Sequence, residues 1–338
     1  MHQPQKKGPR ILFLTSNLSS FVEGDLRMLR ERYPIREVIV GGNPIQSLTQ
    51  RLSLGLTILS GVLGTDMTFS WFAHNHAYLA VMVSRLLGKR SLVVVGGYEV
   101  ASEPDIGYGA LLNQELAGKI PYIIENADCI LAVSEFSKRE ILQVARPRRI
   151  ETVYNGVDTS VFSPGGQKEN IVLTVCFVST ANIRVKGLDT YMDAARRFPE
   201  TRFVLLGQAL DDGLETLKRD APDNVEFIGQ VRQEELIRWY RRAKVYCQLS
   251  YRESFGVALA EAMSCECVPV VTDRGALPEV VGDTGFVVPY GDAEATAAAI
   301  SEALRSDRGK AARARVEREF SLEERMQKIR NIIEERSV

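Results

Sequence analysis

Strand-like and helix-like segments alternate along nearly the whole chain, and this alternation limits the possible folds more than any other feature of the sequence. Short apolar runs separated by segments of helical length are typical of βαβ units in a parallel sheet. The predicted strands cover residues 11–15, 38–40, 92–95, 129–133, 171–178, 203–206, 245–249 and 268–271. The predicted helices cover residues 21–32, 46–63, 188–195, 234–243, 256–264 and 322–335. The sequence therefore predicts an α/β protein.

The alternation is interrupted at Ser163-Pro-Gly-Gly-Gln-Lys-Glu169, the strongest turn cluster of the chain. At 338 residues the chain exceeds one ordinary core, since domains average about 150 residues. We expect a first domain at residues 1–164 and a second at residues 165–319. In such an architecture ligands bind in the cleft between the halves.

Composition and charge exclude several classes of protein. The chain carries 42 lysines and arginines against 43 aspartates and glutamates, a balance that argues against a nucleic-acid binder. Its five cysteines are odd in number and scattered, which disfavours a secreted disulfide framework. Residues 1–10 are polar and basic without the features of a signal peptide, and the apolar run 52–63 is too short to span a bilayer. The sequence predicts a cytoplasmic protein.

The segment Glu253-Ser-Phe-Gly-Val-Ala-Leu-Ala-Glu261 carries the clearest chemical signal. It leads from a strand through a glycine-containing loop into a helix, and the free amides at a helix N-terminus favour an anion such as a diphosphate. Glu261 falls about two turns into the helix, where a carboxylate can accept hydrogen bonds from vicinal ribose hydroxyls. Taken alone, two glutamates eight residues apart are better explained as residues of one exposed helix face.

Flanking motifs extend this signal. They are Gly229-Gln-Val-Arg-Gln-Glu-Glu-Leu236, Met263-Ser-Cys-Glu-Cys-Val-Pro-Val-Val271, Arg274-Gly-Ala-Leu-Pro-Glu279 and Gly285-Phe-Val-Val-Pro289, and, upstream, Lys186-Gly-Leu-Asp189, Tyr154-Asn-Gly-Val-Asp158 and Val133-Ser-Glu-Phe-Ser-Lys138. In order and spacing these motifs resemble the family 4 retaining glycosyltransferases. The resemblance is close over about residues 125–290 and loose over the first 120.

The resemblance implies a GT-B fold, in which two Rossmann-like domains face each other across a cleft and a C-terminal helix, here about 320–338, packs back on the first domain. It implies a UDP- or GDP-sugar as donor, a glycan or lipid-linked acceptor, no cofactor and no metal. It places Glu261 on the ribose, Glu253 beside the donor sugar and Lys186 on the diphosphate. The other donor-binding residues that it implies are Phe255, Gly256, Val257, Gly229 and Val231.

The sequence also departs from the family pattern. Thr180 and Ala181 stand where an arginine is common, and the nearest candidate, Arg184, either reaches the phosphates or is simply exposed. Gly96 stands where many members have a histidine, and Glu266 replaces a customary glycine. In place of a glycine-rich first loop the chain has Thr15-Ser-Asn-Leu-Ser-Ser20, which either contacts ligand or only caps the following helix. The weaker acceptor or sugar-binding candidates are Ser16, Asn17, Gly96, Gly97 and Glu99.

Two further features have alternative interpretations. His74 and His76 lack partners at metal-ligand spacing, so a helix start beside aromatic residues explains them better than a metal site; His2 is the third histidine. The helix at 46–63 is unusually apolar. It is either a core helix or an interfacial face that approaches a lipid-linked acceptor at the inner membrane surface.

The combined prediction is a glycosyltransferase that moves a sugar from a nucleoside diphosphate donor to an acceptor hydroxyl with retention of configuration. The catalytic candidates are Lys186, Glu253 and Arg184. Two alternatives remain, a sugar-nucleotide epimerase of the same architecture and a non-catalytic partner subunit. A Rossmann dehydrogenase is disfavoured, because no Gly-x-Gly-x-x-Gly follows a predicted strand. The sequence gives no indication of the oligomeric state.

Overall fold

The computed structural model describes residues 8–41 and 48–335, and its contacts divide the chain into two compact units. The first unit comprises Met1–Tyr154 and Arg325–Val338, and the second comprises Asn155–Glu324. The boundary therefore lies before the turn cluster at which the sequence prediction had placed it. The reason is that residues just after 154 are already tied to the second unit: the Val157 N–H donates to the Phe320 carbonyl, and Arg241 Nε donates to the Ser163 carbonyl.

The first unit is a parallel α/β layer around one six-stranded sheet. Its strands are β1 Ile11–Thr15, β2 Ile35–Ile39, β3 Met67–Trp71, β4 Arg90–Val95, β5 Cys129–Ala132 and β6 Ile150–Thr152. Its helices are α1 Ser20–Arg32, α2 Leu48–Leu63, α3 Asn75–Leu86, α4 Gln114–Asn126 and α5 Glu135–Val144, with short 3-10 turns at Tyr98–Val100, Pro104–Ile106 and Ala110–Leu112.

The strand order of this sheet, β2-β1-β3-β4-β5-β6, creates a point where the chain reverses direction across the sheet. From β1 the chain passes to β2, its neighbour on one side, and then crosses over β1 to β3 on the other side. The connections that follow β1 and β3 therefore run toward opposite edges of the sheet. Ligands of open parallel sheets bind at such a switch point, beyond the carboxyl ends of the strands. In this unit the residues that follow β1 and β3 are Ser16 and Phe72.

The second unit repeats the architecture. Its strands are β7 Glu169–Val175, β8 Arg202–Leu206, β9 Val225–Ile228, β10 Ala243–Gln248, β11 Val268–Thr272 and β12 Phe286–Val288. Its helices are α6 Thr180–Lys186, α7 Leu188–Ala195, α8 Gly213–Asp220, α9 Gln233–Arg242, α10 Val257–Ser264, α11 Leu277–Val281, α12 Ala293–Arg305 and α13 Gly309–Glu319.

The order β12-β11-β10-β7-β8-β9 places the switch point of the second sheet between β7 and β10. All pairings in this sheet are parallel, so the loops after β7 and β10 leave the sheet at the same edge. The loop after β7 leads to α6, and the loop after β10 contains Glu253 and leads to α10. This edge of the second sheet therefore gathers most of the residues that the sequence singled out.

Helix α14, Leu322–Glu334, is the last helix of the described residues, and its residues from Arg325 onward belong to the first unit. Arg325 is 2% exposed and forms an ion pair of 2.7 Å with Asp25 of α1, which is fully buried. Its guanidinium also donates to the Val153 and Tyr154 carbonyls, and Trp71 Nε1 donates to Asp25. A buried ionic network thus anchors the last helix to α1 and β3.

Helix α2 combines features of the two interpretations that the sequence allowed, a core helix and an interfacial helix. Residues 46 and 47 of the predicted helix lie outside the described residues. Ile58 and Val62 are fully buried, as a core helix requires. Leu52, Leu56 and Leu63 are instead 59%, 66% and 57% exposed. In the described residues, no helix combines the length and the apolar character needed to cross a membrane.

Candidate functional site

The site in the second unit is built around an ion pair between Lys186 and Glu253. Lys186 Nζ lies 2.8 Å from Glu253 Oε2, and Gln248 Nε2 donates to the same oxygen at 2.8 Å. The Lys186 and Glu253 side chains are 25% and 19% exposed, so both are partly shielded from solvent. The two residues come from the two strands that flank the switch point, since Lys186 follows β7 and Glu253 follows β10.

Local backbone contacts fix the position of Lys186, which is the last residue of α6 rather than part of a loop. Gly187 ends the helix in the left-handed conformation with φ of +61°, and a Cβ there would lie 2.0 Å from the Leu249 carbonyl oxygen. The last turn is also held from outside, because the Tyr251 N–H donates to the Val185 carbonyl and the Tyr290 hydroxyl to the Arg184 carbonyl. A side chain at residue 187 would therefore push α6 away from the site.

The loop that carries Glu253 is supported by the Gly-x-x-Pro-Glu turn that the sequence had singled out. Gly275 has φ of +62°, and a Cβ on it would lie 2.2 Å from the Glu253 carbonyl oxygen. The Ala276 N–H donates to that same carbonyl at 2.8 Å. This close approach explains why the turn begins with glycine, and it fixes the backbone of Glu253.

Helix α10 begins directly beyond this loop. Gly256 is its N-cap with φ of +92° and, as a glycine, makes no side-chain capping hydrogen bond. Phe255 is 2% exposed and packs edge-on against Phe320, with ring centroids 5.4 Å apart. A helix N-terminus with a glycine N-cap, beyond a loop whose Glu253 pairs with a lysine, is suited to hold a phosphate group.

Glu261 lies inside α10 and is 8% exposed. Its Oε2 accepts a hydrogen bond from the Tyr240 hydroxyl at 3.2 Å. Burial raises the pKa of this carboxyl from 4.5 to about 8, although the Tyr240 hydrogen bond acts in the opposite direction. Burial therefore favours the protonated form of Glu261 near neutral pH.

Three further second-unit candidates are Arg184, Gly229 and Val231. Arg184 is exposed on α6, two residues from Lys186, and side chains two apart on a helix point in different directions. Gly229 and Val231 follow β9, the outermost strand on that side of the sheet. They share the carboxyl edge with Lys186 and Glu253, but β8 lies between β9 and β7.

The first-unit candidates divide into two groups. Ser16 and Asn17 follow β1 at the switch point, where the Asn17 side chain accepts a hydrogen bond from the Ser19 N–H. Glu99 is fully buried, and its carboxylate accepts hydrogen bonds from the backbone N–H groups of Ala73, Gly96 and Gly97. In this arrangement the Glu99 carboxylate holds the loop after β4 in place.

The glycine at position 96 has a visible steric cause. A Cβ on Gly96 would lie 3.0 Å from Phe72 Cε1, so Phe72 fills the space into which a histidine would project. His74 is the N-cap of α3, in agreement with the expected helix start, and stacks on Phe72. His76 Nε2 donates to the Trp71 carbonyl at 2.8 Å, and burial lowers the pKa of His76 to about 4. No group of three or more potential metal ligands occurs among the described residues.

Sequence reasoning missed several residues that shape the second-unit cluster, notably Gln248, Tyr240 and Tyr290. Gln248 is 6% exposed at the end of β10, and a polar residue at the end of an apolar strand was a usable signal. Tyr240 and Tyr290 gave no comparable signal, because their partners, Glu261 and the Arg184 carbonyl, are distant in sequence.

The fold of the chain matches solved structures. The Anabaena protein Alr3699/HepE, solved in complex with UDP, has a TM-score of 0.80 at 17% identity, and the match covers 96% of this chain and 99% of that one. Sucrose-phosphate synthase from Thermosynechococcus elongatus has a TM-score of 0.75 at 18% identity, with 96% and 98% covered. These matches define the class of fold, which is GT-B.

Sequence comparison defines the family. Residues 165–319 match the family Glycosyl transferases group 1, and residues 68–161 match Glycosyltransferase Family 4. The D-inositol 3-phosphate glycosyltransferase of Mycolicibacterium smegmatis is 31% identical over 219 residues, or 59% of this chain and 50% of that protein. The phosphatidyl-myo-inositol mannosyltransferase of the same organism is 32% identical over 189 residues, or 52% and 48%. The chain spans about half the length of these relatives. It belongs to the family 4 glycosyltransferases.

Proposed function

We propose that the protein transfers a sugar from a nucleoside diphosphate donor to an acceptor hydroxyl with retention of anomeric configuration. The observation that carries the proposal is the Lys186–Glu253 pair, which lies at the switch point of the second sheet and whose Glu253 loop leads into the N-terminus of α10. Family membership and the UDP-bound solved structure support the same class of donor.

The residues of the second unit suit the successive parts of such a donor. Ribose hydroxyls would donate to the Glu261 carboxylate, and the diphosphate would lie between Lys186 and the first amides of α10. Glu253 is ion-paired with Lys186, and its carboxylate oxygens can accept hydrogen bonds from sugar hydroxyls. UDP and GDP both fit this description.

In the proposed reaction the acceptor hydroxyl attacks the anomeric carbon from the face on which the diphosphate leaves. The bond from that carbon to the phosphate oxygen breaks, and the acceptor proton passes to the departing phosphate. Negative charge grows on the diphosphate as the bond breaks. The Lys186 ammonium and the α10 amides would stabilise this charge without reorganising, which is the most effective form of electrostatic catalysis.

The buried carboxyl of Glu261 predicts a pH-dependent nucleotide affinity. Its pKa is raised to about 8, and ribose hydroxyls donate best to the ionised form, so binding should release a proton at neutral pH. We expect the affinity for the matching nucleoside diphosphate, UDP or GDP, to rise as the pH is raised toward about 8 and then to level off. Isothermal titration calorimetry at several pH values measures this directly.

Glu261→Gln isolates the effect, because ionisation of the diphosphate itself is common to both proteins. The variant should lose the extra pH dependence, whereas Glu235→Gln, at an exposed position of α9, should retain it. The raised pKa of Glu261 also makes the free energy of unfolding of the ligand-free protein depend on pH. The contribution of Glu261 is fully present below pH 4.5 and is lost as the pH rises through about 8, so Glu261→Gln should be the more stable protein in alkaline buffer. Identical pH profiles for the wild type and Glu261→Gln would exclude the ribose-binding role.

We also expect transfer to survive chelation, because Lys186 and the α10 amides supply positive charge at the diphosphate and the described residues contain no metal-ligand cluster. The assay compares initial rates after metal removal with and without excess EDTA. Full loss of activity that one particular divalent ion restores would contradict this expectation.

A further inference from the structure

A large apolar cavity lies within the first unit, separate from the residues assigned to the donor. Its volume is about 850 Å³, which is within the range of small-molecule sites. Helices α2, α3 and α4 contribute most of its walls. The apolar side chains that these helices contribute to the wall are Leu52, Leu54, Leu56, Leu59, Tyr78, Leu79 and Leu116.

One end of the cavity reaches the switch point of the first sheet. Ser16 follows β1, Val40 and Gly41 follow β2, and His74 follows β3 after a short turn, and all four line the cavity. Because β2, β1 and β3 are adjacent and parallel, these residues lie at the same carboxyl edge. The cavity thus joins the position expected for a polar ligand to an apolar chamber.

His74 supplies a second indication of a ligand at this end. Its Nε2 is buried and has no hydrogen-bond partner among the residues that the structure describes. Its ring stacks on Phe72 at 6.0 Å, which fixes its orientation. A buried polar atom without a partner is costly, so a ligand that offers a hydrogen bond there would stabilise the site.

The other walls favour an uncharged, apolar occupant. Residues 52–63 of α2 contain no charged side chain. The two charged residues on the wall neutralise each other, since Lys119 Nζ lies 2.5 Å from Glu115 Oε1 and also donates to Asn75. Leu52 and Leu56 remain more than half exposed. Covering apolar surface of this kind with a hydrocarbon removes it from water, which is favourable.

We propose that this cavity binds the hydrocarbon chain of an amphiphilic acceptor, with its hydroxyl-bearing head group at the Ser16–His74 end. The inference rests on the proposed function and adds the class of acceptor to it: a polar, hydroxylated head on a single apolar chain. The concave shape of the cavity and the His74 nitrogen, which has no partner among the described residues, favour such a small molecule over a protein partner.

A homologous series of alkyl glucosides tests the proposal without any donor. Octyl, decyl and dodecyl glucoside are titrated by calorimetry at concentrations below micelle formation, with glucose as the chain-free control. Each buried methylene should tighten binding about fourfold, from about 0.8 kcal/mol per methylene. Equal affinities along the series, or binding as weak as that of glucose, would overturn the proposal.

Gly55 allows the cavity to be filled without disturbing the fold. It lines the cavity on α2, and a Cβ at this position meets nothing within 4 Å. Gly55→Phe should weaken dodecyl glucoside binding at least about tenfold and flatten the chain-length dependence. The matched control is Gly118→Phe, on the exposed side of α4, where a Cβ also meets nothing. Gly118→Phe should bind like the wild type, and equal binding by the two phenylalanine variants would refute the location.

His74→Ala separates the head group from the chain. The variant should weaken the whole series by a similar factor and leave the fold-change per methylene intact. Sedimentation of the free protein tests the competing occupant: a dimer that the alkyl glucosides dissociate would assign the cavity to a second copy of the chain and overturn the proposal.

The outcomes distinguish this inference from the proposed function. If the protein binds a nucleoside diphosphate and turns over its sugar donor but shows no chain-length dependence, only the acceptor inference fails. If the alkyl glucosides bind as expected but no nucleoside diphosphate binds, the cavity assignment stands and the proposed function fails.

Discussion

Replacing Lys186 with alanine is expected to lower kcat by about two to three orders of magnitude while weakening donor binding much less. Charge on the diphosphate is larger in the transition state than in the bound donor, so a neighbouring ammonium contributes more to the former. The ion pair with Glu253 and the fixed end of α6 hold this ammonium in place. The measurement separates the two effects, with kcat from initial rates and donor affinity from calorimetry.

Lys218→Ala is the matched control, because Lys218 is also an ion-paired lysine of the second unit but is exposed on α8. It should leave both quantities unchanged. Arg184→Ala decides between the two interpretations of that residue. Since Arg184 is exposed and lies two residues from Lys186 on the same helix, we expect near-normal kinetics. A folded Lys186→Ala protein with near-normal kcat would remove the diphosphate role.

The second large effect concerns stability. Asp25→Ala should destabilise the first unit by about 3–5 kcal/mol, because it leaves the Arg325 guanidinium buried without its counter-charge. Asp25 is fully buried and accepts both a two-pronged interaction from Arg325 and the Trp71 indole N–H. The chain has two tryptophans, so Trp71 fluorescence in a Trp239→Phe background reports urea unfolding of the first unit.

Two further variants test whether the loss of stability in Asp25→Ala comes from the buried charge. Asp66→Ala removes the exposed ion pair with Arg10 and should cost far less, since exposed pairs are solvent-screened. Combining Asp25→Leu with Arg325→Met removes both charges and should recover much of the loss. A cost for Asp25→Ala no larger than that for Asp66→Ala would show that the buried pair does not anchor α14.

The sequence predicted most of the fold because apolar runs and glycine-bounded turns are local signals. The strands it missed show where local signals fail. β3 has the sequence Met-Thr-Phe-Ser-Trp, in which apolar and polar residues alternate as in a strand with one exposed face. In the structure the polar residues Thr68 and Ser70 are buried as well. The strand predicted at 38–40 is instead β2, Ile35–Ile39, because an edge strand tolerates its charged Arg36 and Glu37.

The sequence singles out candidate residues for the site but does not indicate the contacts between them. Lys186 and Glu253 were singled out separately, and nothing in their spacing indicated that they pair with each other across the switch point. Glu99 was a ligand candidate because it follows a strand, but its carboxylate is occupied by three backbone N–H groups. Glu266 stands where the family customarily has a glycine. Its φ of +64° lies in the left-handed region, which glycine adopts without strain.

Product analysis with nucleotide sugars tests the proposed reaction most directly. Purified protein is incubated with UDP- and GDP-sugars, with and without dodecyl glucoside. Nucleoside diphosphate release and the anomeric configuration of the new product are followed by proton NMR. We predict release from one donor and a product that first appears with the configuration of that donor. An epimerised sugar nucleotide without release of nucleoside diphosphate, or a bound donor that is never cleaved, would contradict a retaining glycosyltransferase.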